Sequence, residues 1–237
     1  MKTIINNFKL LGQLTFKEHF IYWIFPLSFT LIFLLMYCSG ILWMEDFVSP
    51  SFNREYGSLE NSANIPLAIL VIYAVKCLLK SEIIWHKLIF GAAVLISLFM
   101  FLEEIDYGLH FYDLIYHIPG DEQAVVRNFH SRDQHMLNHL KTFIYLFIMV
   151  VFVLIPLIGE KVFPAFIKLF ICSPKIILTT IALEIVSLSA FNLIYTLDNY
   201  GNHSLDNNIS EFGEGIIYYI LMLYMIEIFH KLKKQAT

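Results

Sequence analysis

"KLIFGAAVLISLFMFLEEIDYG", residues 87 to 108, opens on a lysine, carries no charge from Leu88 to Leu102, and then meets Glu103, Glu104 and Asp106. A helix that crosses a bilayer needs about 20 mostly apolar residues. With its flanks the stretch is long enough, and it has a basic end and an acidic end. The rest of the chain repeats this pattern. Of its 237 residues 58% are hydrophobic and 15% charged, whereas a soluble domain is about 45–50% apolar. The sequence therefore describes an all-α integral membrane protein.

Six apolar runs qualify as spans, near residues 20–43, 62–80, 86–102, 141–158, 174–197 and 212–230. Two further pieces belong to the same single domain, 1–237. Residues 1–19 place Ile4, Phe8 and Leu11 at helical spacing among Lys2, Lys9 and Lys17, as an interfacial amphipathic helix does. Residues 161–173 are apolar but interrupted by Pro164 and Lys168, which suits a re-entrant or interfacial segment. The spans show neither two-half symmetry nor a matched pair broken by Gly or Pro, and this argues against a transporter.

Lys and Arg accumulate in cytoplasmic loops. With six spans, every lysine except Lys141 falls at a terminus or on one side of the bundle, so both termini are expected in the cytoplasm. The opposite side receives 15 of the 20 acids against Arg54, Arg127, Arg132 and Lys141. There is no basic tract interleaved with aromatics, and no nucleic acid partner is expected. Cys38, Cys77 and Cys172 fall singly in or beside apolar runs, without CxxC spacing, and read as reduced packing residues.

The acid side holds the candidate chemistry. If the helix of residues 87–108 continues, Glu103, Asp106 and His110 share one face at i, i+3 and i+7, and can bind a metal or a proton. A solvated helix end accounts for Glu104 equally well. In "NFHSRDQHMLNH", residues 128–139, His135 and His139 are four apart and can present two nitrogens to one ion. Arg132, and Arg127 upstream, suit an anionic headgroup. Glu60 opens the second span and Glu214 lies one turn into the sixth, beside Gly213 and Gly215. Glu184 sits about ten residues, or ~15 Å, into the fifth span. A carboxylate there must face protein, and Lys76 is a candidate ion-pair partner.

"REYGSLE" (54–60), "FLEEIDYG" (101–108) and "MLNH" (136–139) together resemble a loosely defined group of uncharacterised bacterial multi-pass membrane proteins. That group carries an acidic E-x-G-x-x-E patch, an E-E-I-S-W-G-Q-like motif and an N-L-H-N-like motif. Asp106, Tyr107 and Leu109 depart from its Ser, Trp and Gln. The resemblance implies a bacterial inner-membrane location and one site built from Glu55, Glu60, Glu103, Glu104 and His139. It names no reaction.

The leading expectation is a metal-assisted hydrolase or transferase acting outside the cytoplasm on a lipid or lipid-linked substrate. One zinc-like divalent ion would be held by His135, His139, Asp106 and His110, with Glu60, Glu103, Glu104 and Glu214 in catalytic roles and Arg127 and Arg132 binding substrate. The alternatives are a non-enzymatic subunit or scaffold, contacting a membrane-protein partner or a second copy, and a proton- or cation-coupled transporter using Glu184.

Overall fold

The computed structural model describes residues 12–49, 57–105, 115–116, 146–159, 163–197 and 205–235. Among these every regular element is helical. In chain order they are α1 (Phe16–Tyr37), α2 (Leu42–Val48), α3 (Ser58–Lys80), α4 (Ile84–Glu104), α5 (Leu146–Ile158), α6 (Ala165–Lys168), α7 (Ile176–Leu197) and α8 (Leu205–Gln235). Among the described residues four stretches are long and apolar enough to cross a membrane: α1, α3, α4 and Phe212–Gln235 of α8. Leu146–Ile158 and Ile176–Val186 are shorter apolar helical stretches.

The first helix starts earlier than its hydropathy suggests, because Thr15 and Glu18 form a capping box. The Glu18 amide donates to Thr15 Oγ1 at 3.3 Å, and the Thr15 amide donates to Glu18 Oε2 at 2.8 Å. Residues 16–19 thus belong to the long helix rather than to a separate interfacial piece, and residues 1–11 lie outside the described set. The helix also stops earlier, at Tyr37 rather than 43. Gly40 adopts φ 70°, a left-handed conformation that glycine tolerates without steric cost, and the chain restarts as α2.

Two helices carry the same irregularity. In α1 a π turn, Phe20–Ile24, leads into Phe25-Pro26; in α5 another, Val150–Leu154, leads into Ile155-Pro156. Proline has no N–H and crowds the carbonyl four residues back. Pro26, which lacks an N–H, and the change from π to α pairing beside it together free the Ile21 and Tyr22 carbonyls, five and four residues upstream. Side chains of other helices satisfy both: Tyr219 Oη donates to the Ile21 oxygen at 2.8 Å, and Thr179 Oγ1 to the Tyr22 oxygen at 2.5 Å. In α5 the Val151 carbonyl accepts from the weak Sγ donor of Cys172, at 3.6 Å. Both π turns pack against α7.

Helix α8 is the centre of the bundle. Half of its apolar window is buried, against 17% for α4. It packs most extensively on α3, then on α7, while α3 also packs on α4. The α3–α8 seam buries Ala63, Leu67, Ala74 and Cys77 with Ile216, Ile220 and Met225. A Cβ built on Gly215 would lie 3.9 Å from the Ala63 Cβ, and Tyr73 meets Phe229 edge-on at 5.5 Å. The two helices therefore run parallel, with their acid-bearing starts at one end. The outward faces of α3 and α4, with Ile65, Ile72, Leu79, Leu88, Leu95 and Phe99 exposed, have the apolar character that lipid contact requires.

The stretch at 161–173 does not span. Among its described residues it holds only the four-residue α6, then turns through Leu169 and Phe170. Three residues of α8 pin the backbone that follows. Tyr224 Oη donates to the Phe170 oxygen at 2.7 Å, and Lys231 Nζ to the Ile171 oxygen at 2.5 Å. Glu227 accepts from the Ser173 amide at 2.8 Å and the Ser173 hydroxyl at 2.6 Å. A third donor, Tyr22 Oη of α1, reaches Glu227 at 2.7 Å. Lys175 pairs with Glu18, tying the same corner to the start of α1. Burial first, and then the neighbouring Glu227 carboxylate, push the Cys172 thiol up from its ordinary value. A thiol with raised pKa stays protonated at neutral pH, so maleimide labelling of Cys172 at pH 7.5 should be at least tenfold slower than that of a free thiol; peptide mass mapping before and after unfolding checks this.

Candidate functional site

Glu60, Glu103, Glu104 and Glu214 come to one end of the bundle. Residues 81–83 link α3 to α4, and Glu60 lies twenty residues before Lys80 as Glu104 lies twenty after Ile84. Antiparallel packing of the hairpin sets these two carboxylates level. The Ala63–Gly215 approach sets the Glu214 turn of α8 beside the Glu60 turn of α3. Glu60 is 9% exposed and Glu103 5%, while Glu104 and Glu214 are half-buried.

The helix dipole separates these acids into two kinds. Glu60 is in the first turn of α3, where a negative charge complements the positive end of the helix. Glu103 and Glu104 close α4, where the same dipole opposes them by about 0.3–1 kcal/mol each. Local helix stability therefore does not account for their presence. Glu104 is compensated across the bundle, accepting a 2.5 Å hydrogen bond from Tyr218 Oη of α8. Tyr218 is itself 8% exposed. It was not singled out from the sequence, though its place four residues after Glu214 puts both on one face of α8.

Two more acceptors stand nearby in the fold. Asn64, one turn after Glu60 on α3, has a buried Oδ1 without a hydrogen-bond partner. Glu45 of α2 has a buried Oε1 in the same condition. The Ser58 hydroxyl donates to the Phe47 oxygen at 2.5 Å and fixes α2 against the start of α3. A buried acceptor without a donor carries a desolvation cost of about 1–3 kcal/mol. This end of the bundle is thus rich in oxygen acceptors, of which two lack donors among the described residues.

The remaining expected site residues divide clearly. Arg127, Arg132, His135, His139, Asp106 and His110 lie outside the described residues. The stripe of Glu103, Asp106 and His110 supposed a continuing helix, but α4 ends at Glu104, and Ile105 has left helical geometry at φ −90°, ψ 14°. Among the described residues no three His, Cys, Asp or Glu side chains are grouped to hold a metal ion. The carboxylates alone do not make a metal centre.

Glu184 is half-buried in α7, beyond the buried Thr179 and Thr180. Its suggested ion pair with Lys76 does not form: the Lys76 ammonium rests over the Tyr73 ring, 4.6 Å from the centroid, and 6.0 Å from that of Phe229. Thr180 donates back to the Ile176 carbonyl at 3.3 Å. At the lysine end Glu227 accepts three hydrogen bonds from α1 and from the segment before α7, and the sequence reading passed it over. Its signal was present: one acid within the apolar run that follows Ile216, three residues after Tyr224 and four before Lys231.

No family model, no curated protein and no solved structure matches the chain.

Proposed function

We propose that the chain is a six-span polytopic protein of the cell membrane with its lysine end and both termini in the cytoplasm. Its acid end, on the other side, forms a carboxylate–histidine centre for metal-assisted hydrolysis or transfer on a lipid or lipid-linked substrate. The observation that carries this reading is the Tyr218–Glu104 hydrogen bond, made at the end where Glu60 and Glu103 are buried. Buried ionisable groups at one end of an apolar bundle are candidates for a reactive site.

In this reading His135 and His139 supply the nitrogen ligands and a carboxylate from the α4 end completes the set. A divalent ion held there would supply a water of lowered pKa near neutral pH. Glu60 or Glu214 would serve as the general base, and Arg127 or Arg132 would hold the anionic headgroup. The apolar flanks of α3 and α4 give a lipid substrate lateral access. Elemental analysis of the detergent-purified protein tests the reading. About one equivalent of a zinc-class metal is expected in the wild type and less than a tenth of that in a His135→Ala, His139→Ala double variant. Metal in neither sample would remove the metal-enzyme reading.

A second reading, a proton- or cation-coupled transporter, is supported by Glu184, a half-buried carboxylate within the apolar helix α7. It is distinguished by ion flux in liposomes that is lost on Glu184→Gln.

A further inference from the structure

Helix α4 leaves an open groove at its lysine end, of about 570 Å³, lined by Leu78 of α3 and by Lys87, Leu88, Gly91, Ala92, Val94 and Leu95. The groove exists because Gly91 and Ala92 are small on a face flanked by Leu88 and Leu95. A Cβ built on Gly91 would meet nothing within 4 Å, so no helix among the described residues fills the space. From Lys87 to Leu95 the groove runs about 12 Å along the helix. Every lining side chain except Lys87 is apolar or absent.

We infer that this groove seats one acyl chain of an anionic phospholipid whose phosphate is held by Lys87. Three observations select that occupant. Lys87 stands at the headgroup end of an apolar slot, and Lys80 at the end of α3 adds a second exposed positive charge beside the same turn, which also carries the exposed Glu82. Trp85, 71% exposed two residues before Lys87, is the amphipathic ring expected at the membrane interface. A second copy packed through the same face about a two-fold axis along the membrane normal would bring Lys87 against Lys87, a like-charge contact that an anionic lipid avoids. Basic pockets beside transmembrane helices at the cytoplasmic level take anionic headgroups for this reason. The seat lies at the opposite end from the carboxylates and does not depend on their chemistry.

Native mass spectrometry of the full chain in detergent, titrated with phosphatidylglycerol and with phosphatidylcholine of identical acyl chains, tests the inference. The wild type is expected to retain one phosphatidylglycerol with about fivefold preference, and Lys87→Gln to abolish the preference. Gly91→Leu, which fills the slot, is expected to lose both lipids while the protein stays monodisperse. Equal retention of the two lipids by the wild type, an undiminished preference in Lys87→Gln, or full binding by Gly91→Leu would each overturn it. So would a chain dimer joined through this face with lipid excluded.

Discussion

Glu227→Leu should lower the stability of the folded protein by about 3 kcal/mol, the larger of the two stability effects anticipated among single carboxylate replacements. The change leaves three donors, Tyr22 Oη, Ser173 N and Ser173 Oγ, without their acceptor. Each orphaned buried donor costs about 1–3 kcal/mol, reduced here because Glu227 is only half-buried. A loss of that size corresponds to a fall of roughly 10 °C in unfolding midpoint for a chain of this length. Glu227→Gln keeps an acceptor but loses the charge, and about half the effect is expected. Tyr22→Phe removes one donor together with its need, so its cost should shrink when combined with Glu227→Leu. Thermal unfolding in detergent, followed by helical circular dichroism, reads all three; a midpoint for Glu227→Leu within 2 °C of wild type would contradict the role given to this corner.

The consequence would be local before it is global. Glu227, Tyr224 and Lys231 hold non-helical backbone between α6 and α7. Backbone groups at membrane depth or at its boundary must be paired inside the protein. Losing the clamp should therefore loosen residues 169–175 and, through Tyr22, the π turn of α1.

Tyr218→Phe is the second large expectation, and its effect is on binding rather than stability. If Glu104 helps to hold a metal, the Tyr218 hydroxyl is the group that orients it. Loss of such an outer partner typically weakens metal affinity by 10- to 100-fold. Glu104→Gln should exceed that, since it removes a charged oxygen from the centre itself. Competition titration with a zinc-selective dye measures both. A purely structural hydrogen bond gives a different pattern: Tyr218→Phe would lower the unfolding midpoint and leave zinc affinity unchanged.

How much of this could be read from the chain depends on how far apart its partners lie. The run from Leu88 to Leu102 declares a crossing by itself, and the helical hairpin of α3 and α4 follows from the short polar turn at 81–83. The start of α1 was also legible, as Thr15-x-x-Glu18, but hydropathy drew attention to residue 20 instead. Pro26 and Pro156 were visible as prolines, yet the π turns before them depend on which side chains can satisfy the freed carbonyls. Those are Tyr219 and Thr179, far along the chain. Glu227 takes its meaning from Tyr22 and Ser173, 205 and 54 residues away, and Tyr218 from Glu104, 114 residues away. The carboxylates at 60, 103, 104 and 214 were found because acids at the edge of apolar runs stand out locally. Lys76 was assigned the wrong neighbour because depth along a span does not fix which face a side chain takes.

The placement of Glu60 and Glu214 at one end rests on the parallel contact of α3 with α8, and a single cross-link interrogates it. The Cβ separation of 3.9 Å at Ala63 and Gly215 matches the spacing a disulfide needs, about 3.5–4.5 Å. Ala63→Cys with Gly215→Cys, oxidised in membranes beside each single-cysteine control, should yield an intramolecular disulfide. Mass spectrometry should find it in one linked peptide pair, absent from both controls. Two thiols that stay free to alkylation, or that link only between chains, would separate the two helix starts and with them the shared carboxylate centre.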